Sequence, residues 1–399
     1  MILLIMIYLI LSAVSLTVLI CLLKEIAPET GKPSIWGRLM PILCGIGFCF
    51  PLAGSLIPGG PVCWFFNRWG NIYLGFAVYF FGPLLVLGAV SLFMQKLVIR
   101  GRRGQKQQAG KRIMRLVFGG MLILSLGLNV YGFFKARRVE VTHYEVENAS
   151  LADGQTLRIV FISDLHISVN FSLSHMREMV ERINEQDADV VLVGGDIITS
   201  SFKAMGPQEK YKEILKGIQA KYGIYGVYGN HDVEEPLLGG FSYVRPERAR
   251  RSPEFTEFLK DCGFRMLEDE TVLLPELGGL VIAGRKDDDK PGDGTTDRAP
   301  LTALLKNVDT AAPLILLEHE PVELDTLGEY GIHLCLCGHT HNGQIFPGNY
   351  VVRLFAKQAY GQKDWNGCPV IVNSGVGFYG CPIRVGTISE IVAIDMTGV

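Results

Sequence analysis

The sequence lacks several features that would each indicate a class of protein. Its net charge is only −2, from 38 Lys and Arg against 40 Asp and Glu, so no global positive field points to nucleic acid as a partner. Its nine cysteines never adopt the Cys-x-x-Cys spacing, which argues against a zinc ribbon or a thioredoxin-type motif. The sequence also shows no internal repeat and no long low-complexity tract.

Charged residues are also absent from long apolar stretches in the first third of the chain. These stretches are residues 1–23, 39–58, 72–94 and 116–134. About 20 apolar residues suffice for a helix to cross a bilayer, so we predict an all-α region of four transmembrane helices over residues 1–135. Pro41, Pro51 and Pro83 are tolerable there because neighbouring helices can satisfy the carbonyls that they free. A signal peptide is the alternative for the first stretch, but no basic region precedes it and no clear cleavage site follows it.

The loop between the third and fourth apolar stretches is strongly basic. It contains Lys96, Arg100, Arg102, Arg103, Lys106, Lys111, Arg112 and Arg115. Because basic loops tend to stay in the cytoplasm, everything after Phe134 is expected to be extracytoplasmic, although Lys135, Arg137 and Arg138 oppose this assignment. Asn129 is the main strongly polar residue deep in a span, which favours a multi-pass anchor in the cell membrane over a transporter.

Beyond a polar linker at residues 136–156, with one edge strand at 139–146, apolar runs alternate with amphipathic patterns. The predicted strands are 157–162, 189–193, 224–228, 279–283, 314–317, 332–337, 370–373 and 388–394. The predicted helices are 175–185, 208–220, 254–262, 301–306 and 321–330. Early alternation followed by a strand-rich end predicts an α/β domain over 157–399, with a mixed sheet sandwich flanked by helices.

Side chains that can bind metals follow the ends of these predicted strands. They are Asp164, His166, Asp196, Asn230, His319, His339 and His341. Each motif alone also fits a surface turn or a core histidine, but their occurrence together at strand ends favours one site, since ligands collect beyond the carboxyl ends of strands. Oxygen and nitrogen ligands without thiolate favour Mn²⁺, Fe or Zn²⁺ over Ca²⁺ or a cluster. Two such ions can hold a phosphate and activate a water molecule.

His231 lies beside Asn230 and is a candidate general acid for a leaving group. Asp232 could orient it by holding one ring nitrogen. A further metal ligand and a structural histidine remain open as alternatives for His231. The other histidines, His143, His175 and His333, have no comparable neighbours in the sequence, and we interpret them as structural.

Together these motifs resemble the calcineurin-like metallophosphoesterase superfamily. The resemblance covers residues 157–399 and rests on Asp164-x-His166, Gly195-Asp196, Gly229-Asn230-His231-Asp232, His319 and Gly338-His339-x-His341. Ile162 to His166, Gly338 to Gln344 and Pro382-Ile383-Arg384 are similar to a membrane-associated bacterial phosphodiesterase branch. That branch is similar to UDP-diacylglucosamine pyrophosphatases and to the transmembrane metallophosphoesterases of animals. Asn342 stands where the branch often has Gly.

The resemblance implies a four-layer α/β/β/α sandwich that holds two divalent metal ions, with Mn²⁺ favoured. It implies one ion bound by Asp164, His166, Asp196 and His341, and a second bound by Asp196, Asn230, His319 and His339. Asp196 would bridge the two. His231 would contact the phosphate or protonate the leaving group. Arg384 would contact the substrate, with a structural ion pair as the alternative.

These expectations define a membrane-anchored phosphoesterase that hydrolyses a phosphodiester or pyrophosphate bond. The anchor keeps the site near the bilayer, which makes a lipid-linked or cell-envelope molecule the expected substrate. The irregular segments 234–251 and 286–298 are expected to form its rim. The alternative is a non-catalytic membrane receptor or scaffold that retains a metallophosphoesterase shell, and a transporter regulated by the soluble domain is a third possibility.

Overall fold

A computed structural model describes residues 2–27, 34–57, 60–98, 105–242, 244–309 and 311–399, without the side chains of 91–109. The chain divides into two compact units. The first unit comprises Met1–Gly132 together with Leu237–Phe241 and Gly380–Pro382. The second comprises Phe133–Pro236, Ser242–Tyr379 and Ile383–Val399.

The helices of the first unit are long and apolar. They are α1 (Ile2–Glu25), α2 (Ile35–Leu56), α3 (Gly60–Val98) and α4 (Gln105–Lys135). Each contains a segment long and apolar enough to cross a membrane, which confirms the prediction of four such helices. Pro41, Pro51 and Pro83 all lie inside helices, as expected. Part of the basic loop between α3 and α4, at 99–104, lies outside the described residues.

Aromatic and aliphatic side chains from all of these helices form the core of the first unit, including Leu19, Phe48, Phe80 and Phe118. Helix α3 begins earlier than the apolar pattern indicates and therefore carries Asn67 and Asn71, which are both buried. Asn129 is thus not the only strongly polar residue of the helical unit. Its amide donates a hydrogen bond to the Ser125 carbonyl one turn earlier, which satisfies it within its own helix.

The second unit is built on two six-stranded sheets. In chain order, the strands of the described residues are β1 (Val139–Asn148), β2 (Thr156–Ile162), β3 (Val190–Gly194), β4 (Ile224–Val227), β5 (Leu237–Leu238), β6 (Phe241–Ser242), β7 (Phe264–Met266), β8 (Glu270–Leu274), β9 (Leu280–Gly284), β10 (Leu314–Leu317), β11 (Leu334–Cys337), β12 (Gly361–Trp365), β13 (Cys368–Val372) and β14 (Ser389–Gly398). The short strands β5 and β6 belong to neither of these two sheets and form a separate two-stranded sheet. One sheet has the order β1-β14-β2-β3-β4-β7, and the other has the order β12-β13-β11-β10-β9-β8.

Both faces of the central strands are buried, which explains their continuous apolar runs. In β2, Ile159 and Phe161 point into the core between the two sheets, and Val160 and Ile162 point into the core beneath the helices. This is the alternation that a strand imposes on successive side chains. β2, β3 and β4 pair in parallel, as do β9, β10 and β11, so in each set the carboxyl ends lie at the same edge.

Helices cover the outer faces of the sheets. They are α5 (Leu173–Asn184), α6 (Gln208–Leu215), α7 (Pro253–Asp261) and α8 (Leu301–Leu304), whereas α9 (Gly348–Val351) has no buried residue and lies beside the loop that follows β11. On α5, Met176, Met179 and Ile183 are buried against the first sheet. The second sheet packs against α8 and a short 3-10 helix, Leu324–Tyr330. The predicted α/β sandwich flanked by helices is therefore confirmed, with a thin outer layer on the second sheet.

Some local predictions differ from the structure. The edge strand predicted at 139–146 within the linker is present as β1, which is two residues longer and pairs with β14 along its whole length. Helix α6 ends at Leu215, two residues before Gly217, because glycine weakens a helix. The edge strands β7, β8 and β12 are missing from the prediction because an edge strand requires backbone pairing but little apolar pattern. The domain boundaries at 135 and 157 remain predictions.

Candidate metal centre

All seven predicted metal ligands lie just beyond the carboxyl ends of parallel strands. Asp164 and His166 follow β2, Asp196 follows β3, Asn230 follows β4, His319 follows β10, and His339 and His341 follow β11. Both sheets thus contribute predicted ligands, which follow the carboxyl ends of β2, β3 and β4 in one sheet and of β10 and β11 in the other. The chain folds this way because each strand is an apolar run that ends directly before a polar loop.

One group of ligands comprises Asp164, His166 and His341, whose ligand atoms all lie within 4.8 Å of one another. The Nε2 atoms of His166 and His341 are 2.9 Å apart, and His341 Nε2 is 3.4 Å from Asp164 Oδ1. Asp196 Oδ2 lies 3.5 Å from His166 Nε2 and so reaches this group as well. All four side chains are buried.

A second group surrounds His319. Its Nε2 atom lies 3.2 Å from Asp196 Oδ2 and 3.3 Å from His339 Nδ1. Asp164, Asp196 and His319 also form a group within 4.8 Å, so Asp164 lies beside both sets. The amide oxygen of Asn230 is buried and has no hydrogen-bond partner among the described residues. Asp196 is the side chain that contacts histidines of both groups.

The arrangement of lone pairs fits bound cations. His319 Nδ1 lies 2.7 Å from the Gly194 carbonyl and donates to it, which leaves the Nε2 lone pair facing Asp196. His166 Nδ1 is likewise held 2.7 Å from Thr199 Oγ1. Such outer contacts select the tautomer whose other nitrogen can bind a metal. The nitrogen and carboxylate lone pairs of the site point toward one another, and too few hydrogen atoms lie between them to pair them all. Such lone pairs repel one another unless positive charge lies between them, and two metal ions would supply that charge.

The electrostatics of the site agree with this requirement. Burial lowers the pKa of His166 and of His339 to about 3, so both are neutral imidazoles able to coordinate. Burial alone would lower the pKa of His319, but Asp196 outweighs it and the pKa is raised. Burial alone would raise the pKa of Asp196, but His319 outweighs it and the pKa is lowered. The pair therefore stabilises both a negative carboxylate and a positive charge beside it.

The backbone at the site adopts left-handed conformations that non-glycine residues rarely adopt. The φ angles are 52° at Asp164, 45° at His166, 52° at Asp196, 71° at His339 and 50° at His341. Strain of this kind collects at functional sites because the loops must aim specific side chains inward. Asn342 also has a φ of 50°, which asparagine tolerates better than most residues. It can therefore stand where related sequences often have glycine.

Close packing of the loops requires glycine at the centre of the site. A Cβ atom on Gly195, whose φ is +87°, would lie 2.6 Å from the Gly229 nitrogen and 2.9 Å from His319 Nδ1. A Cβ atom on Gly229 would lie 2.3 Å from Asp196 Oδ1. These glycines let the loops after β3 and β4 approach each other, which brings Asp196 and Asn230 together.

His231 lies at the edge of the metal centre, and its ring nitrogen is held by a residue that the sequence did not reveal. Its backbone amide donates to Asp196 Oδ1 at 2.8 Å. Its Nδ1 atom lies 3.1 Å from Glu235 Oε1 and 3.2 Å from Ser242 Oγ. Its ring stacks on Tyr379, with centroids 4.4 Å apart and planes inclined by 29°. The imidazole is therefore fixed from one edge and one face.

The carboxylate of Asp232 has a different role from the one predicted. Its Oδ1 atom accepts hydrogen bonds from the amides of Ile197 and Ile198, and its Oδ2 atom accepts one from the amide of Gly229. The hypothesis that Asp232 orients the His231 ring is therefore corrected, because Glu235 makes that contact. Asp232 instead ties the loop that carries Asp196 to the loop that carries Asn230.

Arg384 is completely buried, and its guanidinium donates to protein groups. The acceptors are the carbonyls of Ser374, Gly375 and Gly377 and the hydroxyl of Ser374. These bonds hold the loop that follows β13. This environment favours a structural role for Arg384 over contact with substrate, although its partners are backbone carbonyls and not the carboxylate of an ion pair.

The structure also shows site residues that the sequence analysis missed. Glu235 is buried and its Oε1 atom lies 3.2 Å from the ammonium group of Lys290, which is also buried. Tyr379 packs against the rings of His231 and His166. Glu235 and Lys290 lie in the two segments predicted as the rim, but only folding shows which members of those segments face inward. The spacing of four residues between His231 and Glu235 was a feature of the sequence that could have indicated Glu235.

The remaining histidines have surroundings typical of structural residues. His175 is buried, and its ring nitrogens lie 3.2 Å from the Arg137 carbonyl and 3.0 Å from the Val376 carbonyl. His333 lies 2.9 Å from the Ser150 hydroxyl, and His143 is exposed on β1.

An α/β sandwich whose strand ends converge on two sets of oxygen and nitrogen ligands is typical of metal-dependent hydrolases. Residues 157–343 match the family model described as calcineurin-like phosphoesterase. The chain therefore contains a calcineurin-like metallophosphoesterase domain, as the motifs predicted. The family is dimetal-dependent, and the converging side chains supply candidate ligands.

Similar proteins come from bacteria and from animals. An uncharacterized metallophosphoesterase of Helicobacter pylori is 31% identical over 249 residues, which is 59% of this chain and 58% of the relative. One from Campylobacter jejuni is 28% identical over 299 residues, 74% of each chain. A Danio rerio protein described as a transmembrane protein with metallophosphoesterase domain is 27% identical over 400 residues, 91% of this chain and 86% of the relative. The chain thus matches less than two thirds of the Helicobacter relative but most of the Danio one.

Proposed function

We propose that this protein is a membrane-anchored, dinuclear metal-dependent phosphoesterase that hydrolyses a phosphodiester or pyrophosphate bond. The convergence of Asp164, His166, Asp196, His319 and His341 in two overlapping groups, with Asp196 contacting histidines of both groups, carries this proposal. The ions are divalent Mn²⁺, Fe or Zn²⁺, with Mn²⁺ favoured, because the ligand set mixes carboxylate and amide oxygen with imidazole nitrogen.

The ligands divide into the two sets that the motifs imply. Asp164, His166, Asp196 and His341 would hold one ion, and Asp196, Asn230, His319 and His339 would hold the other. When bound, two such ions neutralise the phosphate charge and activate a water molecule for in-line attack. The protein's own contribution is to hold these ligands in place from buried loops, with the Gly194 carbonyl and Thr199 fixing the rings of His319 and His166.

His231 is the proposed general acid, and Glu235 is the residue that positions it. Burial alone would lower the pKa of His231, but Asp196 and then Glu235 outweigh it, so the pKa is raised and the ring can carry a proton. Since Glu235 and Ser242 hold Nδ1, the proton for the leaving group would come from Nε2. A lipid-linked or cell-envelope phosphoester is the proposed substrate class, because the helical unit would keep the domain at a bilayer.

Turnover of a simple phosphodiester tests the proposal. We expect the purified full-length protein, supplied with Mn²⁺, to hydrolyse bis-p-nitrophenyl phosphate, and a chelator to stop the reaction. Turnover that fails with Mn²⁺, Fe²⁺ and Zn²⁺ alike would favour the non-catalytic receptor or scaffold.

Replacing Glu235 with Gln is expected to slow catalysis without removing metal. The amide keeps the size of the side chain but loses the negative charge that favours the protonated His231 ring. We expect kcat to fall about tenfold for diphenyl phosphate, whose leaving group needs a proton. The decrease should be smaller for bis-p-nitrophenyl phosphate, whose leaving group departs more readily. The measurement is kcat for both substrates, together with metal content.

The matched control for this variant is Glu234→Gln. Glu234 is exposed and adjacent in sequence, and its carboxylate accepts a bond from the Phe202 amide. The Glu234→Gln variant should leave the ratio of kcat for diphenyl phosphate to kcat for bis-p-nitrophenyl phosphate unchanged. An equal decrease for both substrates in Glu235→Gln would contradict the positioning role, because loss of fold or metal does not depend on the leaving group.

The proposed orientation puts the metallophosphoesterase domain outside the cytoplasm. We expect alkaline phosphatase, which is active only outside the cytoplasm, to be active when fused after Val399 in a bacterial host. The same enzyme inserted between α3 and α4 should be inactive, since the basic residues there favour the cytoplasm. The opposite pattern of activities would reverse the assignment.

A further inference from the structure

A pocket of about 490 Å³ opens beside the metal centre within the second unit. The candidate ligand His339 lines it together with Glu320, and the apolar part of its lining comprises Val322, Val352, Phe355 and Ala356. This volume lies in the range of sites that bind small organic molecules. The lining of this pocket therefore combines a candidate metal ligand with apolar side chains.

The apolar wall is unusually exposed. Phe355 is 84% exposed, and its neighbour Leu354 is 79% exposed. They lie in the segment that contains α9 and the 3-10 helix Val352–Leu354. Large apolar residues clustered on a surface beside a reactive centre indicate a surface that is covered when a ligand binds.

The charges around the pocket favour an uncharged occupant. Among the described lining residues the single lysine, Lys357, is paired with Asp325. Glu323 is paired with Arg285 and Arg298, and Glu320 adds a further carboxylate. A second phosphate or another anionic group would meet the carboxylates of Glu320 and Glu323 in this lining and would have to compete with Asp325 for Lys357. An alkyl chain would gain by leaving water.

We propose that this pocket binds an uncharged alkyl or acyl chain on the substituent that stays on phosphorus. The leaving group must meet His231, which does not line this pocket, whereas His339 does. The two substituents of a phosphodiester would therefore lie on different sides of the metal centre. This inference rests on the proposed phosphodiesterase activity and adds to it the residues that select the substrate.

The test compares two diesters with the same leaving group. Methyl p-nitrophenyl phosphate and hexyl p-nitrophenyl phosphate are given to the full-length protein with Mn²⁺, below the concentration at which the hexyl ester aggregates. Since each buried methylene strengthens binding about fourfold, two buried methylenes already exceed tenfold. We therefore expect kcat/KM to be at least about tenfold higher for the hexyl ester.

Variants of the lining residues test whether the preference for the hexyl ester arises in this pocket. Phe355→Ser and Val352→Ser should reduce the hexyl advantage to less than about threefold, while metal content and circular dichroism equal to those of the unaltered protein show that the variants fold. Leu354→Ser is the matched control, because Leu354 is equally apolar and exposed but does not line the pocket.

Equal kcat/KM for the two esters in the unaltered protein would overturn the inference while leaving the phosphodiesterase activity intact. So would an equal loss of the hexyl advantage in Leu354→Ser, since the effect would then belong to the whole surface. No turnover of either ester with any of the three metals would overturn the proposed function itself, and this inference with it.

Discussion

Replacing Asp196 with Asn is expected to remove both metal ions and to abolish turnover. Asp196 Oδ2 lies 3.5 Å from His166 Nε2 and 3.2 Å from His319 Nε2, so one carboxylate contacts both groups of histidines. An amide is neutral and presents one oxygen where the carboxylate presents two. We expect activity to fall by more than about 10³-fold, beyond the loss of a single stabilising donor. Elemental analysis and turnover of bis-p-nitrophenyl phosphate measure the two effects.

The control lies at the opposite end of the same strand. Asp189 precedes β3, and its carboxylate accepts bonds from the Arg158 amide and from Lys221. Asp189→Asn removes the same charge from the same strand but away from the metal centre, so it should keep both metals and most of the activity. Full metal content or retained turnover in Asp196→Asn would contradict the bridging role.

The positions of the seven candidate ligands at strand ends were predictable because two kinds of signal coincide at each of them. A strand buried on both faces must be a continuous apolar run, and Asp164, Asp196 and His319 each follow such a run. A metal also accepts only a few side-chain types, so the candidates at each strand end were limited. Because the strands within each set run parallel, their carboxyl ends lie at the same edge.

The partners of these residues were less predictable, because a contact between loops depends on the folded path of the chain. Asp232 is adjacent to His231 in sequence, yet the amides of Ile197, Ile198 and Gly229 bind its carboxylate. Glu235 reaches the ring instead, after the chain has turned. Backbone amides compete for carboxylates without leaving any pattern in the sequence, and the same holds for the carbonyls that surround Arg384.

The pocket beside His339 is a second feature that could not be predicted from the sequence. Leu354 and Phe355 are large apolar residues, and the structure exposes both of them. The short helical turns around them follow no long amphipathic pattern, so periodicity alone cannot assign their side chains to a face. Only the folded chain brings Phe355 and His339 into the lining of one pocket.

His231→Ala is expected to keep both metals but to slow turnover about 10²-fold or more, the scale of a lost general acid. The ring lies 5.5 Å from that of His166 and its Nδ1 atom is held by Glu235 and Ser242, but His231 belongs to neither of the two groups of converging ligand atoms. The decrease should be largest for diphenyl phosphate and smaller for bis-p-nitrophenyl phosphate. Metal content by elemental analysis and kcat for both diesters measure these effects.

His143→Ala is the matched control, because His143 is exposed on the edge strand β1 and should change neither quantity. Loss of metal on removal of the His231 imidazole would make this residue a ligand. A decrease in kcat that is the same for both diesters would indicate that His231 binds the phosphate but does not transfer a proton. Only retained metal together with a leaving-group-dependent decrease identifies proton transfer, because proton transfer is the role whose importance grows as the leaving group becomes more basic.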